Sequence, residues 1–324
     1  MYPADVRQDR PVEVFMAHMD VVFPDESELP LRVEDGRIYC PGVGDDTACL
    51  VCLLLAGKYI AEHVDSPQWR EIRREDAPGL LLVCNAGEEG LGNLKGVRKI
   101  CEDYGDRMER FCTFDSSLSS IVDRAVGSRR FRIRVRTRGG HSYNDFGNDN
   151  AIAGLASLVG KLYGIRVPEG GKTTYNVGMI SGGTSVNTIA QEAEMLYEFR
   201  SDRRENLEYM ERQFMEVFDR AKAEGMDVSF KVIGVRPCEG QVDPKRKQAL
   251  SDWAHRVVEE MTGQAPKHCA GSTDCNIPLS LGIPSVCVGS FRGAGAHTRE
   301  EYVETDSLEE GYKVAFGMIF GSRD

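Results

Sequence analysis

The sequence predicts an α/β protein, a mainly parallel sheet with helices on both faces, carrying an inserted ferredoxin-like α+β domain. Three observations predict it. Apolar strands such as 12–18 and 80–84 alternate with helical stretches, the pattern of a parallel sheet buried on both sides. Near residue 124 the pattern changes, and residues 131–138 alternate strictly between Phe, Ile, Val or Thr and arginine, which describes a strand with one buried face. Past Pro237 the first pattern resumes, so one domain is inserted into another.

The elements follow in order. Residues 12–18 read as a buried strand, and Asp45 to Ile60 is apolar for too long to be one strand, so it reads as a buried helix. Asp45, Asp46 and Thr47 suit its N-terminus, where free N–H groups and the helix dipole favour anions. A polar interruption, Ser66 to Pro78, leads to the strand 80–84, a helical stretch 91–104 and a strand 111–115. The inserted part then reads strand 131–138, helix 148–164, strands 173–181 and 192–200, a helix with Leu207, Met210, Phe214, Val217, Phe218 and Ala221 on one stripe, and strand 228–232. That order is β-α-β-β-α-β. Helix 244–262, strand 284–289 and helix 307–320 complete the outer domain. The predicted domains are 1–123 with 238–324, a discontinuous outer domain, and 124–237, a domain inserted into it.

Composition narrows the function classes. The 324 residues carry a net charge of −11, with no basic stripe of the kind nucleic-acid binders show, so nucleic acid is not an expected partner. No run of about 18 apolar residues occurs, so no membrane span is expected. The first residues lack a basic-then-apolar signal region. Ten cysteines, many inside apolar runs and without paired CxxC spacing, read as reduced core thiols of a cytoplasmic protein.

The chemistry concentrates in acidic and histidine-bearing segments at strand ends: His18-Met19-Asp20, Asp45-Asp46, Glu88-Glu89, Asp115 and His297. Each has an ordinary reading taken singly: a satisfied core histidine, a helix cap, a solvated acidic turn. Together, carboxylates and imidazoles from distant segments make the donor set of a divalent metal centre, and a glutamate beside it can take a proton from water. This implies a two-metal hydrolase. Glycines flank several of these residues: Gly42 and Gly44 before Asp45, Gly87 and Gly90 around the glutamates, and Gly293 and Gly295 before His297. His63, His255 and His268 have no such context and receive no role. The turns 139–142 (Gly-Gly-His-Ser) and 182–188 (Gly-Gly-Thr-Ser-Val-Asn-Thr) do not match a phosphate-cradling loop, and the arginine face at 132–138 reads as a solvated or interface face.

The ordered set His-x-Asp, Gly-x-Asp-Asp, Gly-Glu-Glu-Gly, strand-ending Asp, Gly-Gly-His-Ser, Gly-Gly-Thr-x-x-Asn and Gly-x-His resembles the dinuclear zinc exopeptidases, among them peptidase T, carboxypeptidase G and aminoacylase. The resemblance runs from about residue 12 to the end. It implies two divalent ions, zinc first, with Co2+ or Mn2+ able to use the same ligands. Asp45 would bridge them, His18 and Asp115 completing one site and Glu89 and His297 the other. Asp20 would orient His18, and Glu88 would be the general base. His141 would steady the oxyanion, reaching a partner subunit's site in a homodimer formed through the inserted domain. Asn187, Arg200 and the Asp274 loop would hold substrate.

The activity so implied is hydrolysis of peptide bonds in small peptides, of di- or tripeptidase, exopeptidase or aminopeptidase type. The rival on the same scaffold is an N-acyl amino acid amidohydrolase, and a catalytically silent binding protein is the rival of a different class. The chain departs from the family in three places. Only 17 residues precede His18 where relatives carry several dozen, so either the start is clipped or the sheet lacks a covering element. Thr47 and Cys49 replace the lysine and glycine often found after the bridging aspartate. Ser116-Ser117 replaces smaller residues after Asp115.

Overall fold

Strand β1, Val12–His18, has every residue buried, and its alternate side chains enter two different cores. Phe15 and Ala17 face one side, and Val14 and Met16 face the other. This is why residues 14–17 are apolar without alternation, while the buried carboxylate of Glu13 is paired with Arg110 at 3.2 Å. The computed structural model describes residues 10–23, 28–67 and 77–321, and most of the polar interruption 66–78 lies outside them. The described residues form two compact units, one of those up to Ala125 together with those from Glu239 on, the other Val126–Cys238.

In the first unit, β1 is followed by two short strands, β2 (Arg32–Glu34) and β3 (Arg37–Tyr39), and by helix α1 (Cys49–His63). Next come β4 (Gly79–Asn85), α2 (Lys95–Tyr104), β5 (Met108–Phe114) and β6 (Ser120–Ala125). The inserted unit contributes β7 (Gly127–Arg136), β8 (Gly140–His141), α3 (Ala151–Tyr163), β9 (Thr173–Gly182), β10 (Thr188–Ile189), β11 (Glu192–Ser201), α4 (Arg204–Ala223) and β12 (Asp227–Arg236). The first unit then closes with α5 (Pro244–Thr262), β13 (Lys267–Gly271), α6 (Asn276–Ser280), β14 (Ser285–Val288), β15 (Gly293–Ala294), β16 (Tyr302–Glu304) and α7 (Ser307–Phe320).

The main sheet has the order β13-β6-β14-β5-β1-β4. Its pairings are parallel except that of β14 with β6. Leu53, Trp253 and Val314 pack on one face with Phe15 and Phe114, while Val97, Phe111 and Ile277 fill the other. Register sets the function-bearing end. His18 pairs with Asn85 on β4, and Met16 pairs with Thr113 on β5. The carboxyl ends of three adjacent strands therefore open at one level, where α/β sheets place their ligands.

The inserted unit has the sheet order β12-β7-β11-β9, all antiparallel, with two helices over one face. This is the ferredoxin-like arrangement. Phe131, Ile133 and Val135 face α3 and α4, and Phe131 stacks on Phe214 with ring centroids 4.2 Å apart. The arginines between them lie opposite glutamates of β11: Arg130 with Glu198, Arg134 with Glu194 and Arg136 with Glu192. The alternating face is thus a cross-strand charge ladder.

The expectation that a helix begins at Asp45 needs correction. Asp45 and Asp46 have non-helical backbone angles, α1 starts at Cys49, and no side chain caps it. The amides of this turn are claimed by Glu301, a residue from the far end of the chain.

Candidate metal centre

Every side chain of the cluster comes from the first unit. His18 ends β1 and is 1% exposed. Its Nδ1 lies 3.0 Å from the Asp20 carbonyl oxygen and 3.7 Å from the Asp20 carboxylate, so the backbone carbonyl is the nearer orienting acceptor. The Asp20 carboxylate has another duty. Its oxygens accept the amides of Gly87 at 2.8 Å, Glu88 at 3.3 Å and Glu89 at 2.9 Å, which fixes the loop after β4.

Asp45 lies between two imidazoles. Its Oδ1 is 3.1 Å from His18 Nε2, and its Oδ2 is 3.1 Å from His297 Nε2. His297 Nε2 is also 3.1 Å from Glu89 Oε1. His297 stands at φ +66, a left-handed conformation that side chains seldom adopt, in a turn closed by Thr298 N–H on the Gly295 carbonyl. Three groups bring their ligand atoms within 4.8 Å of one another: His18 with Asp46 and Asp115, Asp45 with Glu89 and His297, and His18 with Glu88 and Glu89.

The electrostatics call for a cation. Burial by itself lowers the pKa of His18, but Asp45, Asp46, Asp115 and Glu88 outweigh it and raise the group to about 11. Burial, then the charges of Asp45 and Glu88, push Glu89 up to about 7 against the two histidines. Burial also holds Asp46 and Asp115 well above the usual carboxylate range, with each other's or neighbouring carboxylates adding to it. Asp45 runs the other way: burial opposes ionisation, yet His18 and His297 hold its pKa below the ordinary value. Buried His18 Nε2, Asp45 Oδ1 and Asp46 Oδ1 have no hydrogen-bond partner, although the first two approach closely. Buried polar atoms are normally satisfied. Donors that crowd together unsatisfied, in an imidazole and carboxylate set, fit divalent ions.

The sequence reading named Asp46 only as the partner of Asp45, with no ligand role of its own, and did not single out Glu301. Asp46 accepts the His18 amide at 2.8 Å and groups with His18 and Asp115, and its only sequence signal is adjacency to Asp45. Glu301 carries no motif, and its place emerges only from the fold.

The other expected residues are placed as follows. Asp274 is fully buried and accepts a hydrogen bond from Asn85 Nδ2 at 2.9 Å, which ties it to the end of β4. His141, Asn187 and Arg200 belong to the inserted unit. His141 Nδ1 accepts the amides of Tyr143 and Asn144, which leaves the proton on Nε2. Asn187 Oδ1 accepts from Ser185 Oγ, and the Asn187 carbonyl accepts the Ser142 amide, tying together the two glycine-rich turns. Glu198 already engages the Arg200 guanidinium through both Nε and Nη2. His255 and His268, assigned no role, form a hydrogen-bonded chain with Asp123.

A mainly parallel sheet presenting this donor set at its carboxyl end, with a ferredoxin-like insertion, defines a metal-dependent hydrolase. Residues 14–320 match the model of peptidase family M20/M25/M40, and the chain belongs to that family. It is 24% identical over 321 residues to uncharacterized protein YqjE of Bacillus subtilis (strain 168), covering 94% of this chain and 79% of that one. It is 25% identical over 323 residues to succinyl-diaminopimelate desuccinylase of Nitrosomonas eutropha, covering 93% and 80%. Aminopeptidase PepT from Bacillus cereus is similar in structure, with a TM-score of 0.67, 22% identity, and 98% and 82% of the two chains covered. No helix among the described residues is long and apolar enough to cross a membrane.

Proposed function

We propose that this hydrolase is a dinuclear zinc exopeptidase that cleaves small peptides, of di- or tripeptidase type. The observation that carries the reading is Asp45, whose two oxygens each lie 3.1 Å from a different imidazole, so that one carboxylate would serve both candidate ligand sets. His18 and Asp115 would hold one ion and Glu89 and His297 the other, with Asp46 beside the first. When bound, such ions supply Lewis acidity toward a carbonyl and make water acidic enough to act as a nucleophile near neutral pH.

Glu88, 5% exposed and grouped with His18 and Glu89, takes the proton of the attacking water and returns it to the departing nitrogen. Asp20 holds the loop that aims it. His141, with its proton on Nε2, is proposed as the donor to the oxyanion, and Asn187 and Arg200 as substrate contacts once Arg200 leaves Glu198. A homodimer through the inserted unit belongs to the same reading, as does a reducing, cytoplasmic setting, which the ten free cysteines support.

Similarity to a desuccinylase favours a second reading, hydrolysis of N-acyl amino acids by the same centre. The test is digestion of mixed dipeptides, tripeptides and N-acyl amino acids by zinc-loaded protein, read by mass spectrometry, with Glu88→Gln in parallel. Cleavage of free peptides, lost in the variant, supports the peptidase. Cleavage of acylated substrates only selects the amidohydrolase, and no cleavage of either rejects both.

A further inference from the structure

Glu301 is an acidic side chain only 2% exposed, from a stretch with no recognised motif. Its Oε2 accepts the Gly42 amide at 2.6 Å, and its Oε1 accepts the amides of Gly44 at 2.9 Å and Asp45 at 2.8 Å. Its backbone carbonyl accepts the Cys40 amide at 3.1 Å, so one residue grips the segment 40–45 through main chain and side chain alike. Two oxygens accepting three amide protons is an arrangement suited to a carboxylate, which offers acceptor sites and no donor.

The partner segment is shaped for this grip. Gly42 takes φ +78, and a Cβ on Gly44 would meet the Phe291 ring at 2.6 Å and Glu301 Oε1 at 3.1 Å. Glu301 also lies four residues after His297, whose Nε2 is 3.1 Å from Asp45 Oδ2. A closed circuit results: Glu301 holds the backbone of Asp45, the chain from Glu301 leads back to His297, and His297 meets the Asp45 carboxylate. Two candidate ligands more than two hundred residues apart are thereby set at one distance.

We propose that Glu301 is a positioning residue that assembles the Asp45, Glu89 and His297 half of the metal centre. This rests on the dinuclear reading above. Outer residues that orient metal ligands are typically worth about 10- to 100-fold in metal affinity or activity.

The test is titration of metal-free protein with Co2+, followed by visible absorption and calorimetry, with thermal unfolding alongside. Wild type should bind two ions. Glu301→Gln, which puts an amide donor against backbone donors, should weaken one binding step about 10- to 100-fold, weaken the other distinctly less because Asp45 serves both, and alter the Co2+ spectrum. Glu301→Asp, charged but shorter, should restore part of the loss. In a His297→Ala background, Glu301→Gln should shift the remaining step no more than it shifts that step in the wild type. If Glu301→Gln does not fold, Gly44→Ala displaces the same turn and should weaken the same step most.

Wild type binding no Co2+ would sink the metal reading itself. Wild type binding two ions, with Glu301→Gln matching it in affinity and spectrum, would overturn the positioning role alone. So would equal loss of both steps in parallel with a fall in melting temperature.

Discussion

The carboxylate of Asp20 accepts the backbone amide of Glu89 at 2.9 Å, and through its other oxygen those of Gly87 and Glu88. Asp20 therefore sets where both glutamates stand, in addition to lying beside His18. Asp20→Asn replaces an acceptor oxygen by a donor facing backbone N–H groups. The expected outcome is a fall in kcat/KM of about 10- to 100-fold with weakened metal binding, while the protein stays folded. Steady-state kinetics and a metal titration on the variant check it, and unchanged values for both would remove Asp20 from the site.

Glu88→Gln keeps the size of the side chain and loses its basicity. Turnover should drop by about 10²- to 10⁴-fold, the span of general acid–base catalysis, with metal content and substrate KM nearly unchanged. Full activity in the variant would remove Glu88 from the mechanism.

Stoichiometry separates the two halves of the cluster. His18 approaches one oxygen of Asp45 and His297 the other. Asp45→Ala should therefore abolish tight binding of both ions, whereas His18→Ala and His297→Ala should each retain one. Elemental analysis of dialysed protein reads the ratio directly, and two ions in Asp45→Ala would refute the bridging role.

The fold class was legible because burial on both faces leaves β1 apolar without alternation over residues 14–17, while β7 alternates Phe131, Ile133 and Val135 with arginines over one covered face. The strands β2, β3, β15 and β16 were not legible, since two or three residues are too few to display a period. The turn at Asp45 misled for another reason. Asp-Asp-Thr before an apolar run has the composition of a helix start, and what decides its backbone is a carboxylate 256 positions away. Asp20 was legible as a neighbour of His18, but its hold on residues 87–89 depends on the register of β1 with β4.

The inserted unit offers a stability prediction independent of the metal. Phe214 is 1% exposed and packs against Phe131, Tyr197 and Phe218. Phe214→Ala should destabilise that unit by about 3–5 kcal/mol through lost burial and an unfilled cavity. Urea unfolding followed by tyrosine fluorescence measures it, and a loss under 1 kcal/mol would mean the aromatic cluster collapses around the gap.

Protons and metal ions compete for the same groups, which fixes the sign of the pH dependence. Glu89 is raised from 4.5 to about 7, so the folded metal-free protein holds its proton to higher pH than the unfolded chain does. Its contribution to stability is therefore present at low pH and lost as pH rises from 4.5 to about 7. His18, raised from 6.5 to about 11, adds stability that is complete below 6.5 and lost progressively up to about 11. Both trends make the metal-free protein weaker as pH increases. A divalent ion displaces these protons, so its apparent affinity should rise by about tenfold per pH unit for each proton released. Between pH 5.5 and 7.5 the gap in melting temperature between Co2+-loaded and chelator-stripped protein should consequently widen. A constant gap, with no proton release in lightly buffered titrations, would show that Glu89 and His18 do not bind the ions.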